Sequence, residues 1–284
     1  MISIILLTKN EMIHLPRLIN NLIKVSNDIC VVDSFSSDGS FEFLNQNSHV
    51  NVIQNKWLDY STQFNFGLDN FNFKNNWIMR IDADEVLSKD LCDYIINDLQ
   101  NEKVNGVSIN RGVYFMGKRL MWGGYRKVKL LRLFKKGLAR LESRKMDEHI
   151  VVQGTTIHKN FYVFDINLNG IAWWSKKHLS YSIRETEDYH EKMNIVSEDI
   201  GVAKNIRTFK NWYNYSPLFV RVFMYGFYRL ILRGGLLDGR GVLFHLLQGV
   251  WYRLIIDLII FEMNFNKESI EDLKKRFNNE LEKL

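Results

Sequence analysis

The fold is decided by one stretch of the chain, Trp77-Ile78-Met79-Arg80-Ile81-Asp82-Ala83-Asp84-Glu85. Its first half is apolar enough to form a buried strand, and acidic residues follow where that strand should end. Apolar runs at residues 2–7, 29–32 and 50–53 have a similar length, and helical patterns separate them. This alternation of strands and helices predicts an α/β fold with a parallel sheet.

Polar clusters follow three of the predicted strands. They are Thr8 to Glu11, Asp33 to Ser40, and Asp82 to Glu85. The carboxyl ends of parallel strands meet at one edge of the sheet, and ligands of such sheets bind outside that edge. We therefore expect the three clusters to form one binding site.

Asp82 and Asp84 are suited to hold a hard divalent cation. Mg²⁺ and Mn²⁺ favour oxygen ligands, and Mg²⁺ usually completes its coordination with water and substrate phosphates. A cation between these carboxylates and a nucleotide diphosphate would neutralise the departing group. The alternative is an acidic loop that caps the next helix. The position directly after a buried strand favours the metal site.

Asp33 and Asp38 are candidates for binding a nucleoside. A carboxylate at the end of a strand can accept hydrogen bonds from a ribose or a base, as acidic residues do in dinucleotide-binding folds. Asp33 ends the second predicted strand, and Asp38 lies in the loop that follows. Either residue could instead cap the helix that begins near Phe41, and this alternative is stronger for Asp38.

Together, the three clusters and the strands before them resemble the family 2 glycosyltransferases. The resemblance rests on Ser3 to Glu11, Val31 to Ser40 and Trp77 to Glu85, in that order and spacing, and covers roughly residues 1–180. It is closest to the branch that contains the β-1,4-glucosyltransferases of lipopolysaccharide core assembly. A later segment, Gly234 to Gly239, is similar to a C-terminal segment of the same branch.

The resemblance implies a GT-A fold, an inverting mechanism and a UDP-sugar donor. It implies that Asp33 holds the uridine, and that Asp84 is the direct ligand of a divalent metal, Mn²⁺ or Mg²⁺, with Asp82 as its companion. The donor site implied by the resemblance consists of Thr8, Asn10, Glu11, Asp33, Asp38, Arg80, Asp82 and Ala83.

An inverting transfer needs a general base that deprotonates the attacking acceptor hydroxyl. The resemblance implies an acidic residue after the Asp-x-Asp pair, and the candidates are Glu148 and Asp147. We favour Glu148 because the branch that the chain resembles usually has Glu followed by an apolar strand, which matches residues 150–152. Both candidates could instead be surface charges at a strand edge. His178 resembles part of a Lys-His pair in the same branch. It is a candidate metal ligand or diphosphate contact, or else a structural histidine.

The composition is that of a globular protein, and the net charge of +6 favours anionic partners. Residues 111–145 hold 12 Lys or Arg and one acid, Glu142, with aromatic residues between them. Nucleic-acid surfaces have such a composition. The neighbouring acidic motif instead favours a phosphate-bearing acceptor or an anionic membrane. A solvated sheet face is the remaining alternative.

The C-terminal part is strongly apolar between residues 217 and 261. Its longest charge-free run, 241–252, is shorter than the roughly 20 residues of a spanning helix. By pattern, Arg221, Arg229 and Arg233 share one face of an amphipathic helix, which is typical of helices in a membrane interface. A helical subdomain packed on the catalytic core, or a dimer interface, would give the same pattern.

These observations predict a catalytic domain over residues 1–205, with a nucleotide-sugar half (1–105) and an acceptor half (106–205). A helical region associated with the membrane surface is expected over 206–284. The N-terminal apolar run is too short for a signal peptide, and the two cysteines give no disulfide framework. We therefore expect a cytoplasmic protein, peripheral on the inner face of the cell membrane. The expected partners are a UDP-sugar, a lipid-linked or saccharide acceptor and an anionic membrane, and not nucleic acid.

Two other classes of protein share parts of this pattern. A nucleotidyltransferase that makes nucleotide-sugars has a similar α/β frame, but it typically needs a glycine-rich loop after the first strand. Residues 8–14 contain no glycine. A non-catalytic protein that binds nucleotide or nucleic acid would have no use for Asp82, Asp84 and Glu148 together. Pocket shape, and not motif, decides the donor sugar and the acceptor.

Overall fold

The apolar runs of the N-terminal half form strands of one mixed sheet. The structure is a computed structural model, and it describes residues 1–142, 149–194 and 216–281. The chain forms two compact units, Met1–Asn169 and Gly170–Leu284. The domain boundary predicted after residue 205 lies outside the described residues.

The first unit alternates strands and helices and then continues in strands. In chain order the elements are β1 (Ile2–Thr8), α1 (Leu15–Leu22), β2 (Ser26–Asp33), α2 (Ser40–Asn45), β3 (Val50–Gln54), α3 (Tyr60–Asn70), β4 (Trp77–Ile81), β5 (Glu85–Leu87) and α4 (Lys89–Asn97). They are followed by β6 (Gly106–Phe115), β7 (Lys118–Arg119), β8 (Val128–Lys135), β9 (Ala139–Leu141), β10 (Ile150–Val152) and β11 (Thr156–Asp165). The predicted α/β fold is confirmed.

The main sheet has the strand order β3-β2-β1-β4-β8-β6-β11-β5. Strands β3, β2, β1 and β4 run parallel, whereas β8 lies antiparallel to both β4 and β6. Thr8 at the end of β1 is in register with Asp33 at the end of β2. The carboxyl ends of β1, β2 and β4 therefore lie side by side, as the sequence predicted.

Successive residues of a strand point to opposite faces of the sheet, and both faces are buried here. Ile4 and Leu6 pack in the cluster that contains α1, while Ile5 packs with Phe64 of α3 on the other face. Gly67 of α3 allows this helix to approach closely. A Cβ atom there would lie 2.8 Å from Val32 Cγ2 and 2.9 Å from Ile5 Cδ1.

The second unit is helical in its described part. It contains α5 (Ile171–Asn194), α6 (Val220–Phe227), α7 (Gly241–Leu246), α8 (Tyr252–Asn266) and α9 (Ile270–Leu281). A π-helical turn over Tyr228–Leu232 extends α6, and a 3-10 turn over Gly235–Asp238 precedes α7. A second π-helical turn, Leu247–Trp251, joins α7 to α8.

The continuous helix over Gly241–Asn266 is longer than the charge-free run suggested. The helix has 26 residues, and an 18-residue window within it has a mean hydropathy of 1.5. It is long and apolar enough to cross a membrane, although core helices of soluble proteins also meet this criterion. The helix continues past the charge-free run, and the charged residues there are paired: Arg253 contacts Glu185, and Asp257 contacts Arg221. The charge-free run of residues 241–252 is therefore only the first part of a longer helix.

Two of the three arginines predicted to share a face near residues 218–233 are buried in the second unit, whereas Arg233 is exposed. Arg221 and Arg229 are buried, and Arg221 donates to Asp257 Oδ1 through Nε at 2.8 Å. The opposite face, with Phe223 and Phe227, is exposed. The pattern identified an amphipathic helix but not which face points inward, because the acidic partner of Arg221 lies 36 residues further along the chain.

Candidate active site

The carboxyl ends of β1 and β2 meet at a buried carboxylate, Asp33. The Thr8 hydroxyl donates to Asp33 Oδ1 at 3.1 Å, and the Ser36 hydroxyl donates to the same oxygen at 2.5 Å. The Ser36 N–H and Gln54 Nε2 donate to Oδ2 at 3.0 and 3.1 Å. Four donors fill the acceptor capacity of a carboxylate. A nucleoside that bound Asp33 would therefore replace one of these donors.

The loops after β1 and β2 are fastened to each other by Asn10 and Asp38. Asn10, whose φ is +56°, donates through its N–H to Ser36 Oγ at 2.9 Å and accepts from the Ser37 N–H at 2.8 Å. The Met12 N–H donates to Asp38 Oδ2 at 3.0 Å. Burial acts to raise the pKa of Asp38, but its hydrogen bonds outweigh burial and lower that pKa. These hydrogen bonds between the two loops fix the loop conformations.

Glu11 lies in the same pair of loops. Its N–H donates to Ser40 Oγ at 3.0 Å, and its carboxylate lies 2.7 Å from His14 Nδ1. The Leu168 N–H donates to His14 Nε2 at 2.9 Å, so Nε2 is the acceptor and Nδ1 carries the proton toward Glu11. The buried His14 ring thereby ties the loop after β1 to the segment that follows β11.

Asp82 follows β4 and is held by a phenol and two guanidinium groups. Tyr60 donates to Asp82 Oδ1 at 2.8 Å, and Arg132 donates to Oδ2 at 2.9 Å. Arg80 Nε lies 3.7 Å from Oδ1. Burial acts to raise the pKa of Asp82, but these cations and hydrogen bonds outweigh it and lower the pKa. Asp82 therefore stays ionised at neutral pH.

A second buried carboxylate, Glu85, shares the Arg132 guanidinium. Arg132 Nη2 lies 2.5 Å from Glu85 Oε1, and the Asp82 N–H donates to Glu85 Oε2 at 3.0 Å. Burial and the nearby Asp82 charge raise the pKa of Glu85 despite this contact. Burial alone would lower the pKa of Arg132, but the two carboxylates raise it.

Asp84 points to a different set of partners. Asn167 Nδ2 donates to Asp84 Oδ2 at 2.9 Å, and Oδ1 accepts no hydrogen bond from the described part of the chain. The Ile166 N–H donates to the Asp84 carbonyl at 2.9 Å, and Arg17 donates to the Ile166 carbonyl at 2.7 Å. The Asp84 backbone is therefore fixed, while one of its carboxylate oxygens remains available.

Arg80 and Ala83 differ in what they can offer a donor. The Arg80 guanidinium lies over the Tyr60 ring, 4.5 Å from its centroid, and its Nε has no hydrogen-bond partner among the described residues. Ala83 belongs to the main apolar core and is 5% exposed. The Ala83 side chain packs with the sheet, so only its backbone is available to a ligand.

The donor set suits one divalent cation shared with a diphosphate. The described residues contain no group of three or more His, Cys, Asp or Glu side chains that could hold a metal ion. Asp84 offers an oxygen without a hydrogen bond, whereas both oxygens of Asp82 already accept from Tyr60 or Arg132. One or two carboxylates plus substrate phosphates is a common way to bind Mg²⁺. The residues therefore fit a cation whose main protein ligand is Asp84.

His178, the predicted third metal ligand, lies on α5 in an aromatic cluster of the second unit. Its ring stacks on Trp174 with 3.6 Å between centroids, and Nδ1 lies 2.9 Å from the Trp174 carbonyl. Tyr252 contacts the ring edge-on, with 5.3 Å between centroids. Burial lowers the pKa of His178. Its part in metal binding stays a prediction.

The two candidate bases, Asp147 and Glu148, lie outside the described residues. They belong to the connection between β9 and β10, which pair antiparallel. The apolar strand predicted after Glu148 is present as β10. The choice of Glu148 over Asp147 stays a prediction.

The sequence reasoning missed Arg132, which pairs with Asp82 and Glu85, and Arg111, which pairs with Asp165. Both were counted in the basic stretch of residues 111–145, yet Arg132 is 3% exposed and Arg111 pairs with the mostly buried Asp165. A signal for Arg132 was present: one charge within Leu130-Leu131-Arg132-Leu133-Phe134 indicates a buried partner. The predicted basic surface is therefore smaller than the residue count suggested.

The α/β sheet, with an Asp-x-Asp pair beside two strand-end loops, is the arrangement expected of the GT-A class of glycosyltransferases that the sequence resembles. Residues 3–161, more than half of the chain, match the sequence pattern described as Glycosyl transferase family 2. The chain belongs to this family and is a glycosyltransferase.

Similar proteins from Rickettsia carry the name uncharacterized glycosyltransferase. An uncharacterized glycosyltransferase of Rickettsia typhi is 27% identical over 80% of this chain and 79% of its own length. One of Rickettsia bellii is 38% identical over 33% of this chain, and the match spans 31% of that protein. Among solved structures, S. aureus TarS in complex with UDP-GlcNAc is 14% identical, with a TM-score of 0.45 over 69% of this chain and 67% of TarS.

Proposed function

We propose that the protein is an inverting glycosyltransferase that moves a sugar from a UDP-sugar to a lipid-linked or surface-polysaccharide acceptor. The observation that carries this proposal is the arrangement around Asp84. Its carboxylate has an oxygen without a hydrogen bond, beside loops that are built on the Asp33 carboxylate. Family membership over residues 3–161 supports the reaction class.

On the donor side, Asp84 would hold a divalent cation, Mn²⁺ or Mg²⁺, which neutralises charge on the departing UDP. Arg132 keeps Asp82 ionised, so that its carboxylate can accept hydrogen bonds from the donor. Arg132 Nε and Nη1 are buried and without a partner in the described part of the chain. Buried donors close to this edge of the sheet suit an anionic ligand such as a diphosphate.

On the acceptor side, a carboxylate would take the proton of the attacking hydroxyl. That oxygen then forms a bond to the anomeric carbon while the bond from this carbon to the UDP oxygen breaks, which inverts the configuration. We assign the base to Glu148, with Asp147 as the alternative. His178 is retained as a candidate for contact with the cation or the diphosphate.

We place the acceptor in lipopolysaccharide or another surface polysaccharide, and the enzyme in the cytoplasm at the inner face of the membrane. Two features support a membrane-bound acceptor. The second unit exposes large apolar side chains such as Phe223 and Phe265, and the chain is basic. Basic residues favour an anionic membrane surface.

The experiment that tests the donor site is calorimetric titration of UDP with and without Mn²⁺. We expect binding that requires Mn²⁺ in the wild type and is lost in Asp84→Asn, because the amide cannot replace an anionic metal ligand. Asp93→Asn is the matched control, since Asp93 is an exposed carboxylate on α4. UDP binding that is equally strong without metal, or unchanged in Asp84→Asn, would refute the proposed site.

A further inference from the structure

The segment from Val220 to Asn266 forms a helical hairpin. Gly226 and Gly249 let its two arms approach: a Cβ atom on Gly226 would lie 3.0 Å from Val250 Cγ2, and one on Gly249 would lie 3.1 Å from Arg229 Cδ. The connection at Gly235 is tighter still, since a Cβ atom there would lie 2.7 Å from the Arg229 carbonyl oxygen. Residues 231–240 form the turn between the arms, and we call them the hairpin tip.

This hairpin buries paired ionisable side chains and exposes many large apolar ones. Arg221 pairs with Asp257, and Asp238 lies 2.7 Å from His245, with all four side chains buried. Large apolar side chains lie outside instead: Phe223, Phe227, Leu243, Leu246, Leu258, Phe261 and Phe265 are exposed. Water-soluble helical units bury such residues, whereas ionisable groups face the interior in segments that contact lipid.

The hairpin tip combines exposed leucines with exposed arginines. Leu232 and Leu237 are each 66% exposed, and Leu236 is 53% exposed. Arg233 and Arg240 flank the 3-10 turn, are exposed, and form no ion pair with a described residue. The one acidic residue of the tip, Asp238, is turned inward to His245. The tip therefore presents apolar groups and positive charge without a compensating acid.

We infer that the hairpin tip inserts into the headgroup region of an anionic lipid bilayer. The leucines would enter the acyl boundary, while the guanidinium groups stay at the level of the lipid phosphates. The surface of an anionic bilayer offers apolar acyl chains and negative phosphates side by side. A second copy of the chain fits less well, because it would bring the same arginines together. This inference rests on the proposed function in one respect: the proposed function also places the enzyme at a membrane.

The test is co-flotation of the whole protein with vesicles. Vesicles of one-third phosphatidylglycerol in phosphatidylcholine should bind the wild type, and Leu236→Ser/Leu237→Ser should weaken binding by at least about tenfold. Arg233→Gln/Arg240→Gln should weaken binding to these vesicles and flatten its dependence on salt. Ile96→Ser is the control, because Ile96 is an exposed apolar residue of α4 in the other unit.

A site-specific readout separates the tip from other lipid contacts. The native cysteines, Cys30 and Cys92, are buried, so an environment-sensitive dye on Leu237→Cys reports on the tip alone. We expect its emission to shift to the blue on anionic vesicles, and the same dye on Ile96→Cys to stay unchanged. Light scattering gives the oligomeric state of each variant.

Vesicle binding that persists in the leucine variant, or a dye on residue 237 that stays in water, would overturn the inference. Dissociation of an oligomer by that variant, without vesicle binding in the wild type, would assign the surface to a second copy and would also overturn it. Metal-dependent UDP binding is measured on the same variants. If it is intact while vesicle binding is absent, the membrane inference fails and the donor site stands.

Discussion

Arg132 neutralises two carboxylates at the site, and its removal should be costly. In Arg132→Leu, Asp82 and Glu85 would remain close together without their shared cation. Breaking a buried ion pair by removing one partner costs about 3–5 kcal/mol. We expect a loss of this size in the free energy of unfolding, measured in urea, together with weaker UDP binding.

Arg140→Leu is the control for this experiment. Arg140 pairs with Asp69 at 2.5 Å, but both side chains are more than half exposed. Exposed pairs contribute about 0–1 kcal/mol, so little stability should be lost. Equal losses in the two variants would mean that Arg132 is not a buried counter-ion.

Several individual site residues could be named from the sequence, and others could not. Asp33, Asp82 and Asp84 lie at the ends of apolar strands, so the alternating pattern was enough to bring them to one edge of the sheet. Arg132 and Tyr60 lie in β8 and α3, 50 and 22 residues away from Asp82. Such contacts depend on which strands and helices become neighbours, and a sequence pattern does not fix that.

Among the elements, the two loops after β1 and β2 form one body. Asn10 and Asp38 join them through backbone N–H groups, so a ligand that binds either loop meets a preformed surface. The sequence predicted that the loops meet, because parallel neighbours end at the same edge. It did not show that the side chains of Asn10 and Asp38 hydrogen-bond to the backbone of the neighbouring loop. In the same way, the arginine face of α6 was recognised, but its inward orientation requires Asp257 on α8.

Helix α5 carries a histidine whose burial should make folding depend on pH. Burial in the cluster with Trp174 and Tyr252 lowers the pKa of His178 below the value of about 6.5 expected in the unfolded chain. As the pH falls through that value, the unfolded chain takes up the proton first, and the folded state loses stability relative to it. Above about pH 6.5, His178 is neutral in both states and its full contribution to the free energy of unfolding is present.

The check is urea unfolding of the metal-free protein at pH 7 and pH 5. We expect the wild type to lose stability on acidification, and His178→Gln to lose less, because glutamine has no proton to gain in this range. Nuclear magnetic resonance titration of the ring should give a midpoint below 6.5. A midpoint above that value would mean that the surroundings of His178 favour the imidazolium.

At the scale of the whole molecule, donor binding and catalysis should be separable, because the proposed base belongs to a different part of the chain from the donor loops. Glu148→Gln should lower kcat by about 10²- to 10⁴-fold, the usual contribution of general base catalysis, with the UDP-sugar that the binding experiments select. Metal-dependent UDP binding should be unchanged, since the donor loops and Asp84 are intact.

Asp147→Asn is the matched control, because it removes the neighbouring carboxylate by the same chemical change. The preference for Glu148 rests on the resemblance to a branch that has Glu before an apolar strand. That strand is present as β10, which begins at Ile150. If Asp147→Asn abolished turnover while Glu148→Gln kept it, the roles of the two residues would be exchanged. If both variants kept full activity, the base would have to come from another part of the molecule. Asp165 would then be the next residue to test. Burial is the main cause that raises the pKa of Asp165, and the nearby negative charge of Asp84 raises it further, which places the two carboxylates close together.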